Sequence, residues 1–181
     1  MTARTWTAHV FVGVSVDGFL ARPDGDLEWL TSRGAEAGDA GYDAFIADVD
    51  HVVLGRRTYE LVAAFEPWPY GARRVLVLTT GGLAAPDDRV QAVRSLGEAV
   101  AVLDADGARR VYVDGGATIQ AFLAADLVDS LTLSAVPVLI GGGVPVFGPL
   151  PADVALRLES SRVLPGGMVQ STYAVVRDAA S

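Results

Sequence analysis

The chain has 181 residues, which is enough for a single domain over 1–181 with one sizeable hydrophobic core. It contains no cysteine and only two histidines, far apart in sequence, so we expect no disulfide, no cysteine nucleophile and no metal site. The net charge of −8, without a basic run, argues against nucleic acid as a partner. No apolar run approaches the roughly 20 residues of a membrane span, and we expect a cytoplasmic protein.

Strand and helix patterns alternate along the chain, which is typical of an α/β fold with a largely parallel sheet. In the first third of the chain the predicted elements are a strand over 8–16, a loop over 19–29, a polar surface segment over 32–41, a helix from Tyr42, a buried strand over 52–54 and a helix over 56–64. Strands over 74–78 and 90–93 follow, and then a helix from Ser95 to about 104 and a strand over 111–113. A helix with Ile119 and Phe122 on its apolar face leads to a β-rich run over 131–140. Ser95 and Glu98 form a capping box. The runs 155–164 and 168–176 predict a terminal antiparallel hairpin.

Three predicted strands end in turns whose chemistry suits a phosphate. The turns are Gly55-Arg56-Arg57-Thr58 after the strand over 52–54, Thr79-Thr80 after the strand over 74–78, and Asp114-Gly115-Gly116-Ala117-Thr118 after the strand over 111–113. In a parallel sheet such turns share the edge at the carboxyl ends of the strands, where open α/β sheets bind ligands. Glycine amides at a helix start and the planar fork of arginine both suit phosphate oxygens. The turns therefore predict a site for an elongated anion such as a dinucleotide.

Each part of this site also has a simpler explanation. Gly-Gly punctuates many ordinary βα turns, and the two arginines could mark a solvated helix start paired with Glu60. A cation in the first turn of a helix opposes the helix dipole unless an anion binds there, which favours the functional interpretation. The pattern G-x-G-x-x-G after the first strand is absent, so a Rossmann fold is excluded.

Five segments carry a resemblance to a known family over nearly the whole chain. They are VFVGVSVDGFLA, VVLGRRTYE, VLTT, VYVDGGATIQAFL and VDSLTLSAVPVLIGGGVPVFG, in that order. Together they resemble the dihydrofolate reductase-like superfamily, and within it the branch of the reductase domain of the riboflavin-biosynthesis deaminase–reductase. The resemblance implies a central, mostly parallel twisted sheet flanked by helices, a C-terminal antiparallel hairpin, NADPH as cofactor, and a homodimer.

The resemblance also implies which residues contact the cofactor. Val12 and Gly13 would meet the nicotinamide carboxamide, and Leu20 would pack beside the ring. The remaining implied contacts are Gly55, Arg56, Arg57 and Thr58 for the pyrophosphate and the 2′-phosphate, Thr79 and Thr80 for the adenosine end, and Gly115, Gly116, Ala117, Thr118 and Ile119 for a second phosphate turn. A cis peptide bond beside Gly115 is implied as well.

The catalytic carboxyl group is less well defined by this resemblance. In dihydrofolate reductases a carboxylate that follows Pro-Trp on the first helix anchors the pterin ring, and no Pro-Trp occurs in that region here. Asp43, Glu28 and Asp17 are the candidates for its role. A surface carboxylate is the alternative for each, and Asp17-Gly18 is also a turn pattern. No zinc-ligand cysteine pair of a deaminase is present, and no basic cluster beyond Arg56 and Arg57 suggests a site for a ribose phosphate.

The sequence therefore predicts an NADPH-dependent oxidoreductase. It would transfer hydride to a C=N or C=O group of a small heterocyclic or ribityl-type substrate, such as dihydrofolate or another pteridine, or the riboflavin-pathway aminopyrimidine. An NADP(H)-binding sensor or partner protein without turnover is the alternative. A purely structural α/β protein, which would bind no nucleotide, is the third possibility.

Overall fold

Within residues 4–83 and 88–177, which the computed structural model of the chain describes, the backbone forms two β-sheets and five α-helices. The strands are β1 (Thr7–Ser15), β2 (Phe19–Ala21), β3 (His51–Gly55), β4 (Arg74–Leu78), β5 (Val90–Val93), β6 (Arg110–Asp114), β7 (Ser130–Val136), β8 (Val144–Pro145), β9 (Leu156–Val163) and β10 (Val169–Val175). The helices are α1 (Glu28–Gly34), α2 (Tyr42–Ala47), α3 (Arg56–Val62), α4 (Leu96–Ala105) and α5 (Gly116–Ala124), with 3₁₀ turns at Ala35–Ala37 and Pro165–Gly167. None of these described helices is long and apolar enough to cross a lipid bilayer.

The larger sheet has eight strands in the order β5-β4-β3-β6-β1-β7-β10-β9. Its first six strands pair in parallel, whereas β10 is antiparallel to both β7 and β9. β2 and β8 form a separate antiparallel pair. The predicted architecture, a mostly parallel sheet with a C-terminal antiparallel hairpin, is confirmed.

Helices cover both faces of the sheet because its central strands are apolar on both sides. Residues 52–54 of β3 are fully buried, as is usual for a strand inside a parallel sheet. One face packs against Phe122 of α5, and the other against Tyr59 of α3. A smaller cluster lies at α1, where Trp29 packs with Met168. The two faces therefore carry distinct cores, and α1 sits on the second face near β7.

The chain after β1 departs from the sequence-based prediction. The loop predicted over 19–29 contains β2 and the start of α1, and the polar surface segment predicted over 32–41 continues α1 and adds a 3₁₀ turn. Both elements depend on distant partners. β2 pairs with β8, and α1 is anchored by Trp29, whose side chain is buried. Local propensity does not report such tertiary contacts.

Two local predictions can be compared directly with the structure. The capping box is confirmed, since Ser95 Oγ accepts a hydrogen bond from Glu98 N at 3.1 Å and Glu98 Oε2 accepts one from Arg94 N at 2.7 Å. The β-rich run predicted over 131–140 ends as a strand at Val136. Pro137 follows and has no amide hydrogen to continue the ladder.

Candidate active site

The turns after β3 and β6 pack directly against each other. Gly115 has a φ of 87°, and a side chain added there would overlap Thr58 Oγ1. In return, a Cβ on Gly55 would lie 3.3 Å from Thr118 Oγ1. Each turn thus supplies a glycine where the other places a threonine hydroxyl. This interlocking explains the glycines and brings both helix starts together.

The turn after β4 joins the same edge of the sheet. A Cβ on Gly81 would be 2.6 Å from Arg56 Nη1, so the guanidinium lies against the backbone of this turn. Thr79 Oγ1 accepts a hydrogen bond from Gly81 N at 3.1 Å. Arg56 Nε also donates to Glu60 Oε1 at 2.7 Å, which is the exposed ion pair expected for a solvated helix start. Arg57 and Thr80 are exposed beside them.

These three turns, residues 55–58, 79–81 and 115–118, are referred to below as the three-turn edge. The turn after β6, over residues 115–118, has two structural features that bear on the prediction. A Cβ on Gly116 would be 2.5 Å from Pro145 O, so close packing of β8 requires this glycine whether or not a ligand binds. The expectation of a cis peptide beside Gly115 is wrong, because the cis bond found in the described residues joins Glu66 to Pro67. The positive φ of Gly115 turns the chain instead.

A split between β1 and β6 opens next to the three-turn edge. β1 pairs with β6 only from Thr7 to His9, and then runs beside β7 as far as Ser15. β6 continues to Asp114 beside β3. From β1 the chain crosses to β3, whereas from β6 it crosses through α5 to β7 on the other side. This reversal is the kind of switch point at which open α/β sheets bind ligands.

Asp114 lies at this split, and sequence reasoning missed it as a candidate acid. Gly115 N donates to its Oδ1 at 2.7 Å, and the Tyr70 hydroxyl lies 3.5 Å from its Oδ2. Burial raises the pKa of Asp114 above its ordinary value, although these hydrogen bonds act in the opposite direction. Burial, with the charge of Asp114 second, raises the pKa of Tyr42 to about 12. A carboxyl directly between a buried strand and a glycine turn was the signal available in the sequence.

A cavity of about 320 Å³ lies between β1, α1 and the loop before α2, on the face of the sheet that packs against α3. The described residues that line it include no charged side chain: they are Phe11, Gly13, Leu30, Thr31, Gly34, Ala35, Ala37, Gly38, Ala40, Ser134 and Met168. Gly13 is a tight contact in its wall, because a Cβ there would be 2.5 Å from Leu30 Cδ1. This volume suits a small ring compound.

The three carboxyl groups predicted from the sequence do not line this cavity. Asp17 accepts hydrogen bonds from Ile140 N at 3.2 Å and Gly141 N at 2.7 Å. A hydrogen bond with Ser15 and these two amides hold the pKa of Asp17 below its ordinary value. Glu28 begins α1 beside a separate polar cavity of about 180 Å³, and Asp43 is exposed on α2.

The other predicted cofactor residues lie near the split, with different parts available to a ligand. Val12 and Ile119 are buried in the core beneath α4 and α5, so only their backbone could meet a cofactor. Leu20 packs on the edge of that core from β2. Ala117 is exposed at the start of α5.

Comparison with known proteins agrees with this architecture. The fold is dihydrofolate reductase-like: the dihydrofolate reductase of Enterococcus faecalis, solved in complex with NADP(H), superposes with a TM-score of 0.65 at 17% identity over 96% of this chain and 98% of that one. The sequence model of the RibD C-terminal domain matches residues 7–170, and the chain belongs to this family.

Two relatives align over almost their entire length. The uncharacterized protein YwjB of Bacillus subtilis is 33% identical over 167 residues, which are 91% of this chain and 95% of YwjB. A putative riboflavin biosynthesis protein from Shewanella sp. PV-4 superposes with a TM-score of 0.85 at 37% identity, and the match covers 94% of this chain and 99% of that chain. The family model, which matches residues 7–170, spans the residues of both the three-turn edge and the cavity.

Proposed function

We propose that the protein is an NADPH-dependent reductase that transfers hydride to a small heterocyclic or ribityl-type substrate in the cytoplasm. The observation that carries this proposal is the arrangement at the switch point of the sheet, where the three-turn edge follows β3, β4 and β6, and a cavity with no charged residue in its described lining lies against β1, which parts from β6 there. The family and the dihydrofolate reductase-like fold support an oxidoreductase. The three-turn edge would take the phosphates, and the cavity the substrate.

The residues at the edge fit an extended phosphate ligand. The first hydrogen bond of α5 runs from Ile119 N to Gly115 O at 2.9 Å, so the amides of residues 116–118 have no partner within the helix. Such amides bind phosphate oxygens, and the field of a helix start favours negative charge. Arg56 and Arg57 add fixed positive charge in a protein whose net charge is −8. We assign the 2′-phosphate to these two arginines, and the adenosine end to Thr79 and Thr80.

Bound NADPH would supply the hydride, and the chain would position the nicotinamide and the acceptor and provide a proton. Val12, Gly13 and Leu20 would hold the nicotinamide at the split, with the acceptor in the adjoining cavity. Asp114 is the carboxyl at the split, and its raised pKa keeps a proton available to higher pH than an ordinary aspartate. We propose that the proton reaches the substrate from Asp114 or from water.

The carboxyl groups predicted from the sequence remain secondary candidates for this role. Asp17, Glu28 and Asp43 would each need the segment that carries them to approach the cavity. Replacing each of them by the corresponding amide in turn tests all three. A loss of turnover with unchanged NADPH affinity would identify the acid.

A sensor or partner protein that binds NADP(H) without turnover is the second candidate. It is favoured by one observation, which is that no described residue lining the cavity is a carboxyl. Calorimetric titration with NADPH, followed by NADPH oxidation with dihydrofolate, with the riboflavin-pathway aminopyrimidine and with its uncharged, dephosphorylated form, separates the two functions. Oxidation of NADPH supports the reductase. Tight binding without oxidation of any acceptor supports the sensor, and absence of binding contradicts both.

We also propose a homodimer that uses the C-terminal hairpin. All eight residues of β9 are exposed, and Leu156, Leu158 and Val163 place apolar side chains on the surface there. Val169 of β10 adds a fourth apolar side chain. An exposed apolar edge strand is a surface that proteins usually cover. A second copy of the chain would bury it, as the family resemblance suggests.

A further inference from the structure

The residues that the structure describes around the cavity beside the split carry no charge that could pair with a charged substrate. Its described lining is apolar except for Thr31 and Ser134. The Thr31 hydroxyl is directed back to the carbonyls of Leu27 and Glu28, at 3.3 Å each. Moving a phosphate or carboxylate into such a site costs several kcal/mol unless a partner compensates it. The lining therefore discriminates between acceptors by charge.

Ser134 differs from Thr31 because its hydroxyl accepts a hydrogen bond and donates none to a described residue. The orientation of its neighbour Gln170 is set by Arg162, whose Nε and Nη2 donate to Gln170 Oε1 at 2.9 and 2.7 Å. A guanidinium only donates, so the amide oxygen must face it and the amide nitrogen must face the other way. Gln170 Nε2 then donates to Ser134 Oγ at 3.0 Å. Ser134 accepts this bond, and its own hydroxyl hydrogen is donated to none of the described residues, which leaves it available to a ligand.

The same network holds the wall of the cavity in an uncommon conformation. Ala40 has a φ of 51°, in the left-handed region that few residues other than glycine adopt. Its carbonyl accepts hydrogen bonds from Gln170 Nε2 at 2.9 Å and from Arg162 Nη2 at 3.0 Å. Arg162 is thereby committed to Gln170 and Ala40, close to the carboxylate of Asp39. Arg162 supports the wall of the cavity through these hydrogen bonds and is not among the described residues that line it.

We infer that this cavity takes the flat, uncharged ring of an acceptor, whose carbonyl oxygen or ring nitrogen accepts a hydrogen bond from Ser134, and that it disfavours an acceptor that would place a phosphate or carboxylate inside it. The inference rests on the proposed reductase function. The electrophilic carbon of the C=O or C=N bond would receive the hydride that NADPH supplies when bound, and the π electron pair would move to the oxygen or nitrogen. That atom would take a proton from Asp114 or from water, leaving NADP⁺ and the reduced acceptor.

The test compares two acceptors that differ in one charged group. A ribosylaminopyrimidine and its 5′-phosphate are titrated by calorimetry into the protein, alone and with NADP⁺. We expect the uncharged compound to bind at least about tenfold more tightly. Ser134→Ala should weaken its binding about fivefold, because one neutral hydrogen bond is lost. Thr132→Val is the matched control, since Thr132 lies on the same face of β7 and its hydroxyl pairs with Thr172 Oγ1 at 3.1 Å. It should leave binding unchanged.

The possible results test the assignment of the cavity separately from the binding of the cofactor. Equal or tighter binding of the phosphorylated compound overturns the inference, and so does binding of neither compound. Equal losses in the Ser134 and Thr132 variants also overturn it. NADPH affinity is measured separately on the same samples. If NADPH fails to bind while the uncharged compound is still preferred, the proposed function is lost and the assignment of the cavity stands.

Discussion

The three-turn edge and the cavity lie on the same sheet but are built in opposite ways. Each turn of the edge is a short continuous segment in which glycine, arginine and threonine follow a strand. The cavity is assembled from β1, α1, β7 and the loop before α2, with Gln170 bonded to a carbonyl 130 residues away. The edge exposes two arginines, whereas the described lining of the cavity is uncharged.

The difference indicates that the two regions would bind different parts of the reacting system. Charge and free amides at the edge suit the phosphates of a cofactor, which supply much of its binding energy. In the proposed function, the apolar cavity would contribute shape and one hydrogen bond, which would select the acceptor. Changes at the edge should therefore alter cofactor affinity, and changes in the cavity should alter acceptor choice.

The largest effect is expected where the two turns interlock. Gly115→Ala should lower the free energy of unfolding by about 3 kcal/mol, because it combines a strained φ with overlap of Thr58 Oγ1. Gly107→Ala is the control, since Gly107 has a φ of 66° and open space around it, and it should cost about 1 kcal/mol. Urea denaturation measures both. In a Thr58→Ala background Gly115→Ala should become milder, and an undiminished cost would contradict the interlocking.

The next effect is on cofactor choice at the edge. Replacing Arg56 and Arg57 together by alanine should weaken NADPH binding about 100-fold, because two charged hydrogen bonds to the 2′-phosphate are lost. NADH affinity should change little. Arg157→Ala on β9 serves as the control, since Arg157 is exposed and pairs with Glu159. Calorimetry with both nucleotides measures the change, and an equal loss for NADPH and NADH would remove the 2′-phosphate assignment.

A smaller effect is expected at Asp114, on the boundary between the two regions. The pKa of Asp114 is higher in the folded protein than in the unfolded chain. The contribution of this group to the free energy of unfolding is therefore complete below the unfolded pKa, and it is lost as the pH rises through the folded pKa. Asp114→Asn should therefore be more stable than the parent at neutral pH, by about 1 kcal/mol, and equal to it near about pH 3. Urea denaturation across pH measures this.

The control for this pH dependence is Asp153→Asn, at an exposed carboxyl in the loop before β9. It should show no comparable trend. A parent protein more stable than the Asp114 variant at neutral pH would mean that the ionised carboxyl has a partner. Loss of turnover in the Asp114 variant, with NADPH affinity retained, would support its role as proton donor.

The smallest effect on either region is expected from the C-terminal hairpin. Leu158→Asp should shift a dimer to monomers by placing a charge in the buried surface, raising the dimer dissociation constant at least about tenfold. Leu150→Asp, in an exposed loop, should not. Sedimentation velocity distinguishes the two, and NADPH affinity should stay within about twofold. A parent protein that is monomeric at all concentrations would contradict the proposed interface.

Sequence reasoning predicted the parts of the fold that depend on local patterns. The order of those strands and helices that were predicted, the capping box at Ser95 and the terminal hairpin all follow from spacing and turn chemistry, and they are confirmed. β2 and α1 were not predicted because each forms against distant residues. The implied cis bond beside Gly115 was wrong, since the cis bond in the described residues joins Glu66 to Pro67 and Gly115 has a positive φ.

The acid candidates show the same limit. Asp17 has the expected residue type, yet its carboxylate is bonded to the amides of Ile140 and Gly141 more than 120 residues away. Asp114 was treated only as part of a turn, because its burial beside Tyr70 and Tyr112 depends on the assembled sheet. Carboxyl chemistry follows from environment, which a single sequence does not display.

The amino-acid sequence by itself determined the α/β architecture, the family and the residues of the three-turn edge, because strand periodicity, glycine turns and adjacent arginines are local properties. Only the tertiary structure decided which carboxyl stands at the split, that the cavity is uncharged, and that Ser134 keeps a free hydroxyl hydrogen. These depend on Ala40, Ser134 and Gln170 meeting from distant parts of the chain. Burial and hydrogen-bond partners arise from that meeting, and they set the charge and the donors that a substrate encounters.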